Sequence, residues 1–152
     1  MYLHMYVTET TPRSSSSIPF ETTLSRHRAR GLNLVVDFLQ NKAIRSPRTA
    51  VAYSFALDYF DKYIQQEYRH KYNIETILER LARGQEERQR GSRRKQNNYD
   101  VYRVLNGFVS HLRNYAQNGH DLSSISVKLY MTALKSYLLY NDIEILPNKF
   151  KN

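Results

Sequence analysis

Cysteine is absent from the 152 residues of this chain. That rules out a disulfide-stapled scaffold, a thiolate zinc site and a thiol nucleophile, and it fits a reducing, cytoplasmic setting. Long apolar runs are missing too: compact clusters such as Leu34-Val-Val36 reach at most four residues, far short of the roughly 18 residues a membrane span needs. The opening Met1-Tyr-Leu-His-Met-Tyr has neither the basic nor the apolar segment of a signal peptide, so a soluble, cytoplasmic protein is expected. There is no period-two apolar alternation and no Asn-Gly hairpin between apolar segments, so no strands are expected. No Gly-rich phosphate loop and no His-Glu-x-x-His occurs, and His4, His27, His70, His111 and His120 are scattered. No metal, no cofactor and no small-molecule substrate are therefore expected.

Tryptophan is also lacking, but thirteen tyrosines and a hydrophobic content of 41% suffice for one globular core. The length suits a single domain and not two. Net charge is +9, from 23 Lys+Arg against 14 Asp+Glu. By segment the excess is +3 in residues 1–45, zero in 46–82, +4 in 83–98 and +2 in 99–152. Such a balance points to a polyanionic partner, nucleic acid being the commonest, with a merely soluble basic surface as the plain alternative. A membrane surface fits less well, because no helix pairs a Lys/Arg face with a broad Leu/Phe face.

Residues 1–22 read as a flexible arm: Thr8-Glu-Thr-Thr-Pro-Arg-Ser-Ser-Ser-Ser17 has too little apolar content to offset its ordering entropy. Residues 23–152 read as one helical domain. Leu32, Val35, Val36, Leu39 and Ala43 follow helical spacing, firmest over 32–41, with Gly31 weakening the approach. A second helix is expected over 47–68, opened by Ser46 as cap and Pro47 in the first turn. Its apolar stripe comprises Ala52, Phe55, Ala56, Tyr59, Phe60, Tyr63 and Ile64, and Tyr53, Leu57 and Phe60 share one face. Asn73 caps a shorter helix with core positions Ile74, Ile77, Leu78 and Leu81. Residues 83–97 contain no apolar side chain and read as a solvated, mobile connection, in which Gly84–Gly91 has the composition for a helix but nothing to bury. Asn98 opens the next helix, whose face is Tyr102, Leu105, Phe108, Val109, Leu112 and Tyr115, with Asn118-Gly119 as its stop. Ser123 or Ser124 caps the last helix, buried through Val127, Tyr130, Ala133, Leu134, Tyr137 and Leu138. The expected fold is an all-α bundle of four to five helices.

Two stretches carry more information together than alone. Thr49-x3-Tyr53-x3-Leu57-x2-Phe60 follows the Ser46-Pro47 start, and Phe108-Val-Ser-His-Leu112 leads through Asn118-Gly119 to Leu122–Tyr140. In this order, across about 46–141, they resemble the core-binding, SAM-like domain of tyrosine recombinases of the phage-integrase type. The tail Ile143-Glu-Ile-Leu-Pro-Asn-Lys-Phe-Lys151 is similar to the segment that leads such proteins toward their catalytic domain. The resemblance implies double-stranded DNA as partner, in DNA integration and recombination, with the second and fifth helices facing the major groove. It also implies a non-catalytic module, because the family's catalytic Arg, Lys, His-x-x-Arg and Tyr have no place after residue 141. His27-Arg-Ala-Arg30 matches His-x-x-Arg, but it lies upstream of the resemblance, where that signature does not belong, and such a short pattern arises by chance in an Arg-rich chain, so it is not read as catalytic. The chain is then either a piece of a split or decayed integrase, working with a separate catalytic recombinase chain, or a stand-alone binder.

Three groups are candidate DNA contacts. Ser124, Lys128, Thr132 and Lys135 fall at steps of four, four and three, one polar line opposite the buried side of the last helix. Arg45, Ser46, Arg48 and Thr49 surround a helix start suited to a phosphate, or form a plain cap with exposed arginines. Arg93, Arg94 and Lys95 form a basic tip for salt-sensitive, non-specific attraction. The alternative reading is a helical interaction module for an acidic protein; an RNA-binding helical protein also fits the charge.

Overall fold

A computed structural model describes residues 34–91, 99–119 and 122–146. The expected arm at 1–22, the His27–Arg30 patch and the basic tip Arg93, Arg94 and Lys95 lie outside the described residues. Among the described residues there are five helices and no strand. They are α1 (Val35–Arg45), α2 (Pro47–Glu67), α3 (Ile74–Gln89), α4 (Val101–Gln117) and α5 (Ser124–Tyr140).

Helix α2 is central and meets all four others. Its start is set by one residue. Ser46 closes α1 by donating its N–H to Lys42 O at 2.9 Å, and its Oγ accepts the Thr49 N–H at 3.3 Å. A single extended residue therefore reverses the chain between two helices, with Pro47 in the first turn of the second. Tyr53, Leu57, Phe60 and Ile64 are buried along the expected face. Phe55 departs from expectation: it was counted in the apolar stripe and is 61% exposed. With apolar residues on more than half of α2's circumference, periodicity does not say which edge stays wet. The neighbours settle it, covering Tyr53, Ala56, Leu57 and Phe60 and leaving Val51 and Phe55 outside.

Helix α1 is rotated relative to its expected face. Val36 is exposed, and Phe38 takes the buried place with rings of Tyr53, Tyr137 and Tyr140 at 6.2, 5.3 and 5.3 Å. Burying a phenylalanine gains more apolar area than burying a valine, so the rotation follows the larger side chain. Leu34 offers no side-chain cap, and Glu75 of α3 accepts the Val35 N–H at 3.2 Å instead.

The start of α3 is doubly fixed. Asn73 and Thr76 form a reciprocal capping box, and Asp61 of α2 accepts the Ile74 N–H at 2.7 Å. The helix then continues to Gln89, through a stretch expected to be solvated connection from residue 83. Arg88 supplies the reason: it forms an ion pair with Asp100 and lies over the Tyr102 ring at 5.0 Å, tying the last turns of α3 to the start of α4. Asp100 itself is the cap of α4, accepting the N–H groups of Tyr102 and Arg103 at 2.9 and 3.3 Å. The expected opener, Asn98, lies outside the described residues.

Gly119 takes φ +83° just beyond α4, in the left-handed region expected of an Asn-Gly stop. Ser123 caps α5, with its Oγ accepting the Ser126 N–H at 3.1 Å. At the other end Asp142 (φ +58°) donates to Leu139 O at 3.0 Å and Ile143 to Leu138 O at 2.9 Å. This paired ending buries Ile143 in the core, after which the Leu146 N–H reaches the Tyr102 hydroxyl at 3.0 Å. Leu105, Phe108, Leu112, Leu134 and Tyr137 are fully buried, and Phe60 meets Phe108 edge-on at 5.1 Å. No described helix is long and apolar enough to cross a membrane.

Candidate nucleic-acid interface

Helix α5 presents Ser124, Lys128 and Thr132 to solvent on one line, as their spacing requires. Lys135 continues the line but is half-buried. The Thr132 hydroxyl donates to Lys128 O at 2.9 Å, so its remaining capacity toward a ligand is as an acceptor. Lys128 and Lys135 stand two turns apart, about 10 Å along the axis. Among Ser124–Tyr140 there is no Asp or Glu, and α4 likewise carries Arg103 and Arg113 with no acidic residue inside the helix. Helices α2 and α3 have the opposite balance, with Asp58, Asp61 and Glu67 on one and Glu75, Glu79, Glu86 and Glu87 on the other.

At the α1–α2 junction Arg45 and Arg48 are exposed on either side of the half-buried Ser46. The N–H groups expected to be free there are mostly used. Pro47 has none, Thr49 donates to Ser46 Oγ at 3.3 Å and Ala50 to Ser46 O at 3.1 Å. The Thr49 hydroxyl also binds Ser46 Oγ, at 2.8 Å. A phosphate here would meet two guanidiniums and the Arg48 amide.

Two features escaped the sequence reading. Arg103 and Arg113 are both exposed on α4 beside exposed Asn106 and Ser110; spacings of three, four and three mark them as one polar face. The second is a cleft of about 540 Å³ between the C-terminal halves of α2 and α4, lined by Tyr59, Lys62, Gln66, His111, Asn114, Tyr115 and Asn118. Tyr59 stands edge-on to Tyr115 at 6.0 Å and against Tyr130 of α5 at 5.1 Å. Burial pushes the Tyr130 phenol above its ordinary range, and the neighbouring phenols of Tyr59 and Tyr115 add to the effect. At the rim, Lys62 is bonded to Asp58 at 2.8 Å, which raises its ammonium's pKa. Both side chains are largely exposed, so the pair contributes little to stability.

Among the described residues no group of three or more His, Asp or Glu side chains could hold a metal ion. No family model, no curated protein and no solved structure matches this chain.

Proposed function

We propose that this protein binds double-stranded DNA as a non-catalytic helical module of the tyrosine-recombinase core-binding type, in DNA integration or recombination. The observation that carries the reading is α5: an acid-free helix whose outward line is Ser124, Lys128 and Thr132, continued by Lys135. Hydroxyl and ammonium groups on one helix face suit phosphates and base edges of a ~12 Å major groove. Arg45 and Arg48 supply a second, separate phosphate contact. Strand cleavage would belong to a separate catalytic chain.

Duplex binding measured by fluorescence anisotropy against salt tests this. If Lys128 and Lys135 both meet phosphates, changing both to Ala should make the slope of log K against log salt shallower by about 2, near 0.9 per contact. An unchanged slope removes α5 from the interface, and no duplex binding by the unaltered protein at ~50 mM salt refutes DNA binding altogether.

A second reading, an interaction module for a protein partner, draws on Val51 and Phe55, 57% and 61% exposed on α2. An exposed phenylalanine beside a valine one turn away is an anchor for an apolar partner surface. Changing Phe55 to Ser should leave DNA affinity intact under the first reading and abolish partner capture under the second.

A further inference from the structure

The cleft between α2 and α4 plays no part in the α5 contacts, and its chemistry differs from theirs. Its lining joins two phenol rings, Tyr59 and Tyr115, to the carboxamides of Gln66, Asn114 and Asn118, and no carboxylate lines it. Carboxamides offer donor and acceptor side by side, which is the pattern that reads the edge of a nucleobase. Aromatic rings give a base a π-surface of matching size, with little sequence preference. Lys62 stands at the mouth, 71% exposed, paired with the 56% exposed Asp58 and lying over the Tyr59 ring at 5.9 Å. A phosphate can displace such a weak surface pair. The volume, about 540 Å³, falls within the roughly 300–1,000 Å³ usual for small-ligand sites. A paired base inside a duplex cannot enter, because its edges are engaged and its faces stacked.

We propose that this cleft receives one unpaired nucleotide, its base against the tyrosines and carboxamides and its phosphate on Lys62. The inference rests on the DNA-binding reading for the strand that presents the base, and it adds a preference for bulged or single-stranded DNA. A free nucleotide carries the same chemistry, and separate arms of one experiment distinguish the two sources.

The experiment compares three ligands at fixed salt: a fully paired duplex, the same duplex with a one-nucleotide bulge, and a nucleoside monophosphate. The unaltered protein should bind the bulged duplex about tenfold tighter than the paired one, the size of a single base–aromatic stack. Tyr115→Leu should remove that preference and leave paired-duplex affinity unchanged. Asn114→Ala, at an exposed position, should weaken the preference without any risk to the core. Equal affinity for paired and bulged duplexes overturns the cleft assignment and leaves the α5 reading standing. Binding of the monophosphate, lost in Tyr115→Leu, together with no binding of either duplex supports the cleft and refutes the DNA reading. A bulge preference that survives both variants places the unpaired base elsewhere and overturns the inference.

Discussion

Replacing Gly107 by Ala should destabilise this protein, although glycine inside a helix normally invites the change. Gly107 lies in the middle of α4, where Ala would gain about 0.8–1 kcal/mol of helix propensity. A Cβ at that position would run into the Tyr63 hydroxyl, with ring carbon Cζ only 3.3 Å away. Tyr63 has little room to yield. Its ring is flanked by Phe60 at 6.2 Å, Phe108 at 5.5 Å and His111 at 5.3 Å, and both phenylalanines are fully buried. Overpacking of this kind costs roughly 1–3 kcal/mol, which exceeds the propensity gain. The net loss should be about 1 kcal/mol, lowering Tm by about 4 °C. Tyr63→Phe removes the colliding oxygen, so in that background Gly107→Ala should become neutral or stabilising. Urea unfolding of the four proteins gives the coupling energy, expected to be about 1–2 kcal/mol. A stabilising Gly107→Ala in the unaltered background, or a coupling near zero, would refute the close approach of Tyr63 to α4.

Burial, aided by the charges of Glu75 and Asp37, holds the Tyr137 phenol far above its ordinary range. In the unfolded chain it ionises near pH ~10, so its contribution is complete below that pH and is lost as pH rises, at about 1.4 kcal/mol per unit. Urea midpoints between about pH 9 and 11 should fall less steeply in Tyr137→Phe than in the unaltered protein; equal slopes would contradict the burial. Asp100→Ala removes the α4 cap and the partner of Arg88, and should cost about 1–2 kcal/mol. Hydrogen exchange should then quicken at residues 84–89 while 77–81 stay protected, and unchanged exchange there would mean that Arg88 does not hold the end of α3. Phe60→Ala should cost about 3–5 kcal/mol, whereas exposed Phe55→Ser should stay within about 0.5 kcal/mol; thermal melts that reverse this order would overturn the rotation assigned to α2.

Legibility in the sequence followed the range of the contacts. Tyr53, Leu57, Phe60, Leu105, Phe108, Leu112, Leu134 and Tyr137 were expected inside from spacing alone, and all are buried. Caps were readable at Ser46 and Asn73 and narrowed to two serines for α5, where Ser123 takes the place, but at α4 the cap is Asp100 and not the expected Asn98. What spacing missed depends on distant partners. The length of α3 rests on Asp100, twelve residues beyond Arg88, and the cap of α1 on Glu75, forty residues beyond Val35. Helix α1 keeps Val35 and Leu39 against the core as expected but is rotated to bury Phe38 in place of Val36, because Phe38 found three aromatic neighbours on α2 and α5, none of which its own periodicity encodes.

The same division runs through the candidate site. A line such as Ser124, Lys128, Thr132 and Lys135 belongs to one helix, so four residues of sequence are enough to draw it. The cleft needs α2 and α4 side by side, and no local pattern joins Lys62 to Asn114. Charge also sorts differently in three dimensions than along the chain. The described residues carry 14 Lys+Arg against 11 Asp+Glu, so only +3 of the total +9 resides in them. The other +6 sits on residues outside those described, so the attraction of the whole chain for a polyanion exceeds that of its helices. Arrangement adds to amount: α4 and α5 carry no Asp or Glu, whereas α2 sets Arg48 and Lys62 against three carboxylates and α3 sets Arg80, Arg83 and Arg88 against four. If the protein binds DNA as proposed, carboxylate repulsion opposes the duplex least at α4 and α5, so orientation would depend on where the carboxylates are as much as on where the lysines are.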